Sequence, residues 1–214
     1  MSEHLCESNR TEKSTKIRRR SQTPRRYKSI ILPMRLTSRH RERFKKIAHQ
    51  LKGKAIGFRI DEIFLPDGRI RTREYITHPG AVGVLAFESP QKILLVKQFR
   101  YPMGVFTYEI PAGKLSEGEA PEACMRRELE EETGFVAAKV RPMGPFWPTA
   151  AFSQEVIHLF VAEGLRPTRM NPDDDEYLEL VRVSPKRLET MIRRGKIRDS
   201  KTIIAYLRWK SNHR

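Results

Sequence analysis

The chain has 214 residues, of which 38% are hydrophobic and 32% are charged. This length predicts one domain with an additional segment, or two small domains, and it can bury a core without disulfides or structural metals. The longest apolar run, residues 81–87, is far too short to span a bilayer, which argues against an integral membrane protein. The first ten residues lack an apolar stretch, so we expect no secretory signal. The two cysteines, Cys6 and Cys124, favour a reducing compartment, and we predict a cytoplasmic protein.

The formal net charge of +16 is concentrated in the N-terminal quarter of the chain. Residues 1–50 contain 15 Lys and Arg against 4 Asp and Glu, a balance of +11, and the other 164 residues carry only +5. We interpret residues 1–27 as a basic tail without stable structure. Such a tail could bind nucleic acid or anionic lipid by counterion release, and a merely solvated tail is the alternative.

The segment between this tail and the main domain, residues 28–78, is predicted to contain a helix and a hairpin. Within residues 37–52 the apolar positions follow helical spacing, and Gly53 would end that helix. From Ala55 the period changes to two, and the turn pair Asp67-Gly68 separates two alternating arms. This pattern predicts a β-hairpin.

The remaining elements predict a mixed α/β or α+β sandwich. Two apolar runs, GAVGVLAF and KILLVKQF, read as buried strands, and EVIHLFVAEGL and YLELVRV add two more. A helix is predicted over residues 121–133, with Pro121 in its first position and Gly134 just past its end. Two further helix patterns lie at residues 184–195 and 200–210. Strands and helices in this order predict a sheet covered by helices.

Four carboxylates lie within five residues of the predicted helix, at Glu128, Glu130, Glu131 and Glu132. Three of them share one helical face, where like charges repel, and the end of the helix dipole also disfavours anions. A bound divalent cation with oxygen ligands, Mg²⁺ or Mn²⁺, is the simplest compensation. The alternative is an exposed acidic face that pairs with the neighbouring arginines.

Two observations favour the metal site over that alternative. The i, i+4 pair of Arg127 and Glu131 is expected to leave Glu128 and Glu132 without a cation. The helix is also entered through a loop from Gly113 to Gly118, and glycine-rich loops let backbone amides approach phosphate oxygens.

The spacing of this segment resembles the Nudix box. All nine positions of that pattern are filled across 23 residues, by Gly113, Glu119, Arg127-Glu128-Leu129, Glu131-Glu132 and Gly134-Phe135. The resemblance implies a Nudix fold over residues 79–214, an α+β fold in which helices sandwich a mixed sheet. It also implies hydrolysis of a nucleoside diphosphate linked to another moiety, with Mg²⁺ (or Mn²⁺) as cofactor. The metal ligands implied are the carboxylates of Glu128, Glu131 and Glu132 and the backbone carbonyl of Ala112.

Flanking segments, over roughly residues 70–205, resemble the ADP-ribose pyrophosphatase branch of that family. This implies that ADP-ribose or a related nucleoside diphosphate sugar is cleaved to a nucleoside monophosphate and a sugar phosphate. It also implies a homodimer formed through residues 28–78. The substrate-binding residues implied are Arg73, Arg100, Glu109 and Glu155. The implied general base is Glu176, with Asp174 as second choice.

Several of these residues also have a purely structural interpretation. Arg100 could be a surface residue at a strand end, Glu109 could be structural, and the acidic run at residues 173–176 could be a solvated turn. His158 and Cys124 are predicted to be core residues. An alternative function is a Nudix-fold nucleic-acid-binding or regulatory protein that uses its basic tail.

The chain departs from the branch at one loop. Where the branch usually has a Ser-Pro-Gly-Phe turn, this sequence reads Pro148-Thr149-Ala150-Ala151-Phe152. Alanines at the Pro and Gly positions permit another loop shape, which leaves the preferred sugar open.

Overall fold

The computed structural model describes residues 40–171 and 177–212, and its first sheet is formed by the N-terminal segment. Strands β1 (Arg43–Lys52), β2 (Gly57–Phe64) and β3 (Ile70–Thr77) form this antiparallel sheet in chain order. The predicted hairpin is confirmed as β2 and β3. At its turn Gly68 has a φ of 87°, and the side chain of Asp67 accepts the backbone N–H of Arg69 at 3.0 Å. The predicted basic tail, residues 1–27, lies outside the described residues.

The helix predicted over residues 37–52 is wrong, because residues 43–52 form β1. Two bulges explain the misleading pattern: the pairing with β2 shifts between Phe44 and Lys46 and again between Ile47 and His49. Each bulge adds one residue, so Phe44 and Ile47, three apart on β1, pair with positions two apart on β2 and share one face. A strand with regular bulges thereby shows the three-residue spacing of a helix.

The second sheet has seven strands and carries three helices. Its path is β10-β5-β4-β9-β8, with β6 paired to β5 and β7 to β4, and β4 and β9 run parallel. The strands are β4 (Ala81–Ser89), β5 (Lys92–Arg100), β6 (Val105–Glu109), β7 (Ala112–Lys114), β8 (Phe135–Phe146), β9 (Ile157–Pro167) and β10 (Glu179–Val183). The helices are α1 (Pro121–Thr133), α2 (Pro185–Arg193) and α3 (Ser200–Ser211).

Alternation along β4 creates a hydrophobic core on each side of this sheet. Val82 and Val84 belong to one core with Met125 and Leu129 of α1, and Leu85 belongs to the other core with residues of α2 and α3. Side chains of a strand point to opposite faces in turn, so both faces need a helical cover. The predicted fold class, a mixed sheet between helices, is confirmed.

Local sequence signals set the helix boundaries. As predicted, α1 begins at Pro121 and ends just before Gly134. Gly134 has a φ of 69°, and its N–H donates to the carbonyl of Glu130. Ser184 caps α2 and Asp199 caps α3, each accepting a backbone N–H in the first turn. Within the described residues, no helix is both long enough and apolar enough to cross a membrane.

Strand β8 was not predicted. It contains Pro142 and Pro145, which cannot donate ladder hydrogen bonds and read as strand breakers in a sequence. Among the described strands, β8 lies at the edge of the sheet and pairs with β9 alone, a position in which proline is tolerated.

Candidate active site

Two carboxylates of α1 converge on the backbone of β7. Glu132 is only 2% exposed, and its Oε2 accepts the N–H of Ala112 at 2.9 Å. Glu128 is 8% exposed and lies directly over Gly113, where an added Cβ would fall 1.8–2.2 Å from the carboxylate atoms. Gly113 is therefore required for close approach rather than for a turn. The structure thus brings together Ala112, Glu128 and Glu132, three of the residues expected at the metal site, through the N–H of Ala112 and the close approach of Glu128 to Gly113.

Arg127 links the remaining acids of this cluster. Its guanidinium donates to Glu119 through Nε and Nη2, each at 3.1 Å, and its Nη1 lies 2.9 Å from Glu131 and 2.8 Å from Glu128. These contacts raise the pKa of Arg127, with the hydrogen bond to Glu119 contributing most. The hydrogen bond from Arg127 and then one from the backbone of Ser116 lower the pKa of Glu119 to about 2.

The expectation that Glu128 lacks a cation is wrong, because Arg127 contacts it as well as Glu131. Adjacent residues on a helix normally diverge, so the sequence alone did not indicate this pair. Glu132 is held by the backbone amide of Ala112 instead. Repulsion within the cluster is thus partly relieved by the chain itself.

The donor set nevertheless suits a hard divalent cation. Glu119, Glu128, Glu131 and Glu132 against one guanidinium leave a formal charge of −3, and all the donors are oxygens. In the described part of the chain, no three acidic, His or Cys side chains are already gathered as metal ligands. Arg127 explains this, because its Nη1 lies between Glu128 and Glu131.

Arg100 and Glu109 contact each other along one face of the β5–β6 hairpin, in which Arg100 pairs with Val105 and Glu109 with Val96. Arg100 donates to both oxygens of Glu109, Nε at 2.8 Å and Nη2 at 2.6 Å, and Thr107 adds a hydrogen bond at 2.5 Å. This hydrogen bonding raises the pKa of Arg100 against the effect of burial, and the charge of Glu132 contributes to the shift. The side chain of Arg100 is 43% exposed, so part of it is accessible, and its charge interacts with that of Glu132 in the acidic cluster.

Lys201 of α3 also binds Glu109, a contact that the sequence analysis missed. Its Nζ donates to Glu109 and, at 2.9 Å, to Asp199. Burial alone would raise the pKa of Glu109, but Arg100 and Lys201 outweigh it and lower the value to about 2. The two residues are 92 positions apart, and no local pattern could have indicated the pair.

Glu155, predicted to bind substrate, lies beside His78. Its Oε1 is 3.8 Å from Nε2 of His78. Burial lowers the pKa of this histidine, the charge of Glu155 opposes that effect, and Lys114 reinforces it.

Arg73 lies on β3. Among the described residues, its side chain contacts neither the acidic cluster nor the Arg100–Glu109 pair. It forms an ion pair with Glu42, and it lines a cavity of about 250 Å³ together with the loop at residues 150–154. Just before this loop the hydroxyl of Thr149 is buried and has no hydrogen-bond partner among the described residues. The departure from the branch pattern thus coincides with an open cavity and an unsatisfied polar group.

The predicted base Glu176 and its alternative Asp174 lie outside the described residues. Cys124 is fully buried, which confirms the predicted core residue, and burial raises the pKa of its thiol to about 12. His158 is partly buried in β9, and burial lowers its pKa.

Comparisons with known proteins agree with this geometry. Residues 77–206 match the NUDIX domain model. An ADP-ribose pyrophosphatase of Bacillus subtilis is 40% identical over 72% of this chain and 84% of its own length, and a methanol dehydrogenase activator of Bacillus methanolicus is 39% identical over the same shares. A GDP-mannose pyrophosphatase of Klebsiella pneumoniae is 34% identical over 58% of this chain and 67% of its own.

A solved structure described as an ADP compounds hydrolase superposes with a TM-score of 0.67 at 16% identity. The match covers 78% of this chain and 94% of that chain, and it shows the fold. Together with the filled box and the acids converging on β7, these findings place the chain in the Nudix hydrolase family, in its ADP-ribose pyrophosphatase branch, as a pyrophosphohydrolase.

Proposed function

We propose that this protein is a Mg²⁺-dependent enzyme that hydrolyses the diphosphate of ADP-ribose or a related nucleoside diphosphate sugar to a nucleoside monophosphate and a sugar phosphate. The observation that carries the proposal is the meeting of Glu128 and Glu132 over the Ala112–Gly113 backbone, beside an arginine with an accessible face. The names of relatives at 40% and 34% identity support the substrate class.

The cofactor would be held by the carboxylates of Glu128, Glu131 and Glu132 and by the carbonyl of Ala112. Bound divalent ions neutralise a diphosphate, polarise its phosphorus atoms and lower the pKa of a coordinated water. Manganese offers the same coordination chemistry.

The other residues bind and orient. Arg127 keeps Glu119, Glu128 and Glu131 close together when they would otherwise repel one another. Arg100 presents a guanidinium that suits two oxygens of a diphosphate, and Glu109 fixes its direction. We assign Glu155 and Arg73 to substrate binding, and Glu176, with Asp174 as second choice, to the role of general base.

The experiment compares Glu128→Gln and Glu132→Gln with Glu122→Gln, a matched control on the exposed face of α1. Each variant is assayed with Mg²⁺ against ADP-ribose, GDP-mannose, NADH and capped RNA. We expect both site variants to lose a factor of roughly 10–100 or more in turnover, as for groups that support a bound metal, with little change in folding. Glu122 pairs with Arg126 at the surface of α1, away from the acidic cluster, so its variant should keep wild-type turnover. Wild-type turnover in both site variants would contradict the metal assignment.

We also propose that the protein is a homodimer formed through the β1–β3 sheet. This sheet leaves large apolar side chains exposed, among them Phe44, Ile47, Leu51 and Phe58. Large apolar side chains that a sheet leaves exposed can mark an interface. Light scattering on the wild type and on Leu51→Asp tests this, and a monomeric wild type would contradict it.

A regulatory role is a second candidate, because a relative at 39% identity is named as an activator of a dehydrogenase. The basic tail could serve it by binding nucleic acid. Salt-dependent RNA binding that is lost on deletion of residues 1–27, with hydrolysis retained, would support nucleic-acid binding by the tail. The complete absence of hydrolysis across the panel would favour the regulatory role alone.

A further inference from the structure

We propose that Lys201, at the start of α3, is a positioning residue that acts through Glu109 to orient Arg100 at the active site. The inference rests on the proposed function, since Arg100 is taken there as the residue that binds the diphosphate. It adds a residue from a helix that contributes nothing else to the site described above.

The first support is the unusual burial of Lys201. Lysine is rarely buried unless paired, yet Lys201 is 8% exposed. Its ammonium group binds Glu109 and Asp199, and Glu109 is 2% exposed. Two cations, Arg100 and Lys201, thus face two carboxylates in a balanced cluster.

The second support is the direction of the hydrogen bonds around Glu109. Oε2 of Glu109 accepts from both Arg100 and Lys201, and its Oε1 accepts from Arg100 and Thr107. The carboxylate therefore cannot rotate without breaking contacts on both sides. Because Arg100 donates through Nε and Nη2, a fixed carboxylate also fixes the plane of the guanidinium.

The third support is that α3 is attached to the strand that carries Glu109. The hydroxyl of Thr202 accepts the backbone N–H of Ile110 at 2.8 Å, and Asp199 caps the helix by accepting the N–H of Thr202 at 2.9 Å. Asp199 thus binds the helix start with one oxygen and Lys201 with the other. The N-terminus of α3 holds the β6–β7 connection and its carboxylate in one place.

Alternatives elsewhere on the molecule are weaker. The exposed residues at the β5–β6 turn, Tyr101, Met103 and Phe106, form an apolar patch with nothing to indicate its occupant. The exposed arginines and lysine at residues 193–198 form a basic surface, but no second observation there points to a ligand. Lys201 differs because it binds Glu109 directly, and Glu109 in turn binds Arg100 at the site.

The test is a double-mutant cycle that combines Lys201→Met with Arg100→Gln. The matched control is Lys210→Met, the same substitution on α3, in a lysine that pairs with Glu189 at the surface. Removing a charged hydrogen-bond partner costs roughly tenfold to a hundredfold in binding. We expect Lys201→Met to raise KM, or to lower kcat/KM, by about tenfold with ADP-ribose, and Lys201→Arg to restore most of the loss. In the Arg100→Gln background the same substitution should have no further effect.

A purely structural role would give a different result. Lys201→Met would then lower the thermal midpoint, and its effect on kcat/KM would be equal with and without Arg100. That additive outcome, or wild-type kinetics for Lys201→Met, would overturn the proposal. If Lys201→Met does not fold by circular dichroism, Lys201→Gln takes its place in the cycle.

Binding without turnover separates this inference from the proposed function. Calorimetry of ADP-ribose with each variant in the presence of EDTA measures the Arg100 contribution when no hydrolysis occurs. A wild type that binds ADP-ribose without hydrolysing it with Mg²⁺ would contradict the function and still allow the cycle to be read from affinities. Equal affinity of wild type and Arg100→Gln would contradict the inference through Arg100.

Discussion

Gly113→Ala should separate the chemistry of the site from the stability of the fold. An added Cβ would lie 1.8 Å from the carboxylate carbon of Glu128, whereas ordinary contact begins at 3.4 Å. The carboxylate must therefore retreat by about 1.6 Å, and a misplacement near 1 Å can cost about 10²-fold in rate. We expect turnover to fall by about that factor and the affinity for Mg²⁺ to fall with it.

The stability cost should be small, since the displaced atoms are the flexible end of a side chain. An off-rotamer torsion costs about 1 kcal/mol, which shifts the melting temperature of a protein of this size by about 2–4 °C. Steady-state hydrolysis of ADP-ribose, magnesium calorimetry and thermal unfolding measure the three quantities. The control is Gly113→Ala combined with Glu128→Ala, which removes the group that the methyl would strike.

That double variant should be no less active than Glu128→Ala alone and about as stable. Wild-type turnover and magnesium uptake in Gly113→Ala would refute the reasoning, because Glu128 would then work equally well from another position. A loss of activity in the double variant beyond that of Glu128→Ala would show that the methyl acts on a different group.

Three further outcomes are expected. The pKa of Glu109 is lowered from 4.5 to about 2 on folding, so its contribution is complete above about pH 4.5 and is lost as the pH falls toward 2. The stability advantage of the wild type over Glu109→Gln, measured by urea unfolding, should shrink by about 3 kcal/mol between pH 5 and pH 2, and parallel curves would contradict this. A Cys6→Ser variant should resist iodoacetamide at pH 8 until it unfolds, because the pKa of Cys124 is about 12, and rapid labelling of the native protein would argue against burial. Ala150→Pro with Ala151→Gly should change the ratio of kcat/KM between ADP-ribose and GDP-mannose while magnesium uptake stays the same, and an unchanged ratio would exclude this loop from sugar selection.

Most of the main sheet and the acidic cluster could be predicted because their signals are local. Strand β4 is a run of consecutive apolar residues, and the acids of α1 are spaced by three and four. The prediction at β1 was wrong for a local reason as well, because bulges in this strand give Phe44 and Ile47 the spacing of a helix. Strand β8 was not predicted because its prolines read as strand breakers, and they are tolerated because the strand lies at the edge of the sheet.

The contacts that orient the site could not be predicted, because they join distant parts of the chain. Glu109 meets Lys201 from 92 residues away, and Ala112 donates to Glu132 from 20 residues away. The sequence indicated that Glu109 and Glu132 matter, but not what holds them. Even the contact between neighbours Arg127 and Glu128 depends on side-chain torsions that no spacing rule describes.

Two arginines hold the acids of this site in different ways, and the difference suits their proposed tasks. Arg127 gathers three carboxylates around one guanidinium, so Glu119 could stay paired with it if Glu128 and Glu131 bound a metal. Arg100 instead gives two donors to a single carboxylate that is itself bound by Lys201, an arrangement with little freedom. A site that must first accept cations and then a diphosphate needs the first arrangement to be exchangeable and the second to be rigid, because an arginine that is already oriented loses less conformational entropy when it binds phosphate.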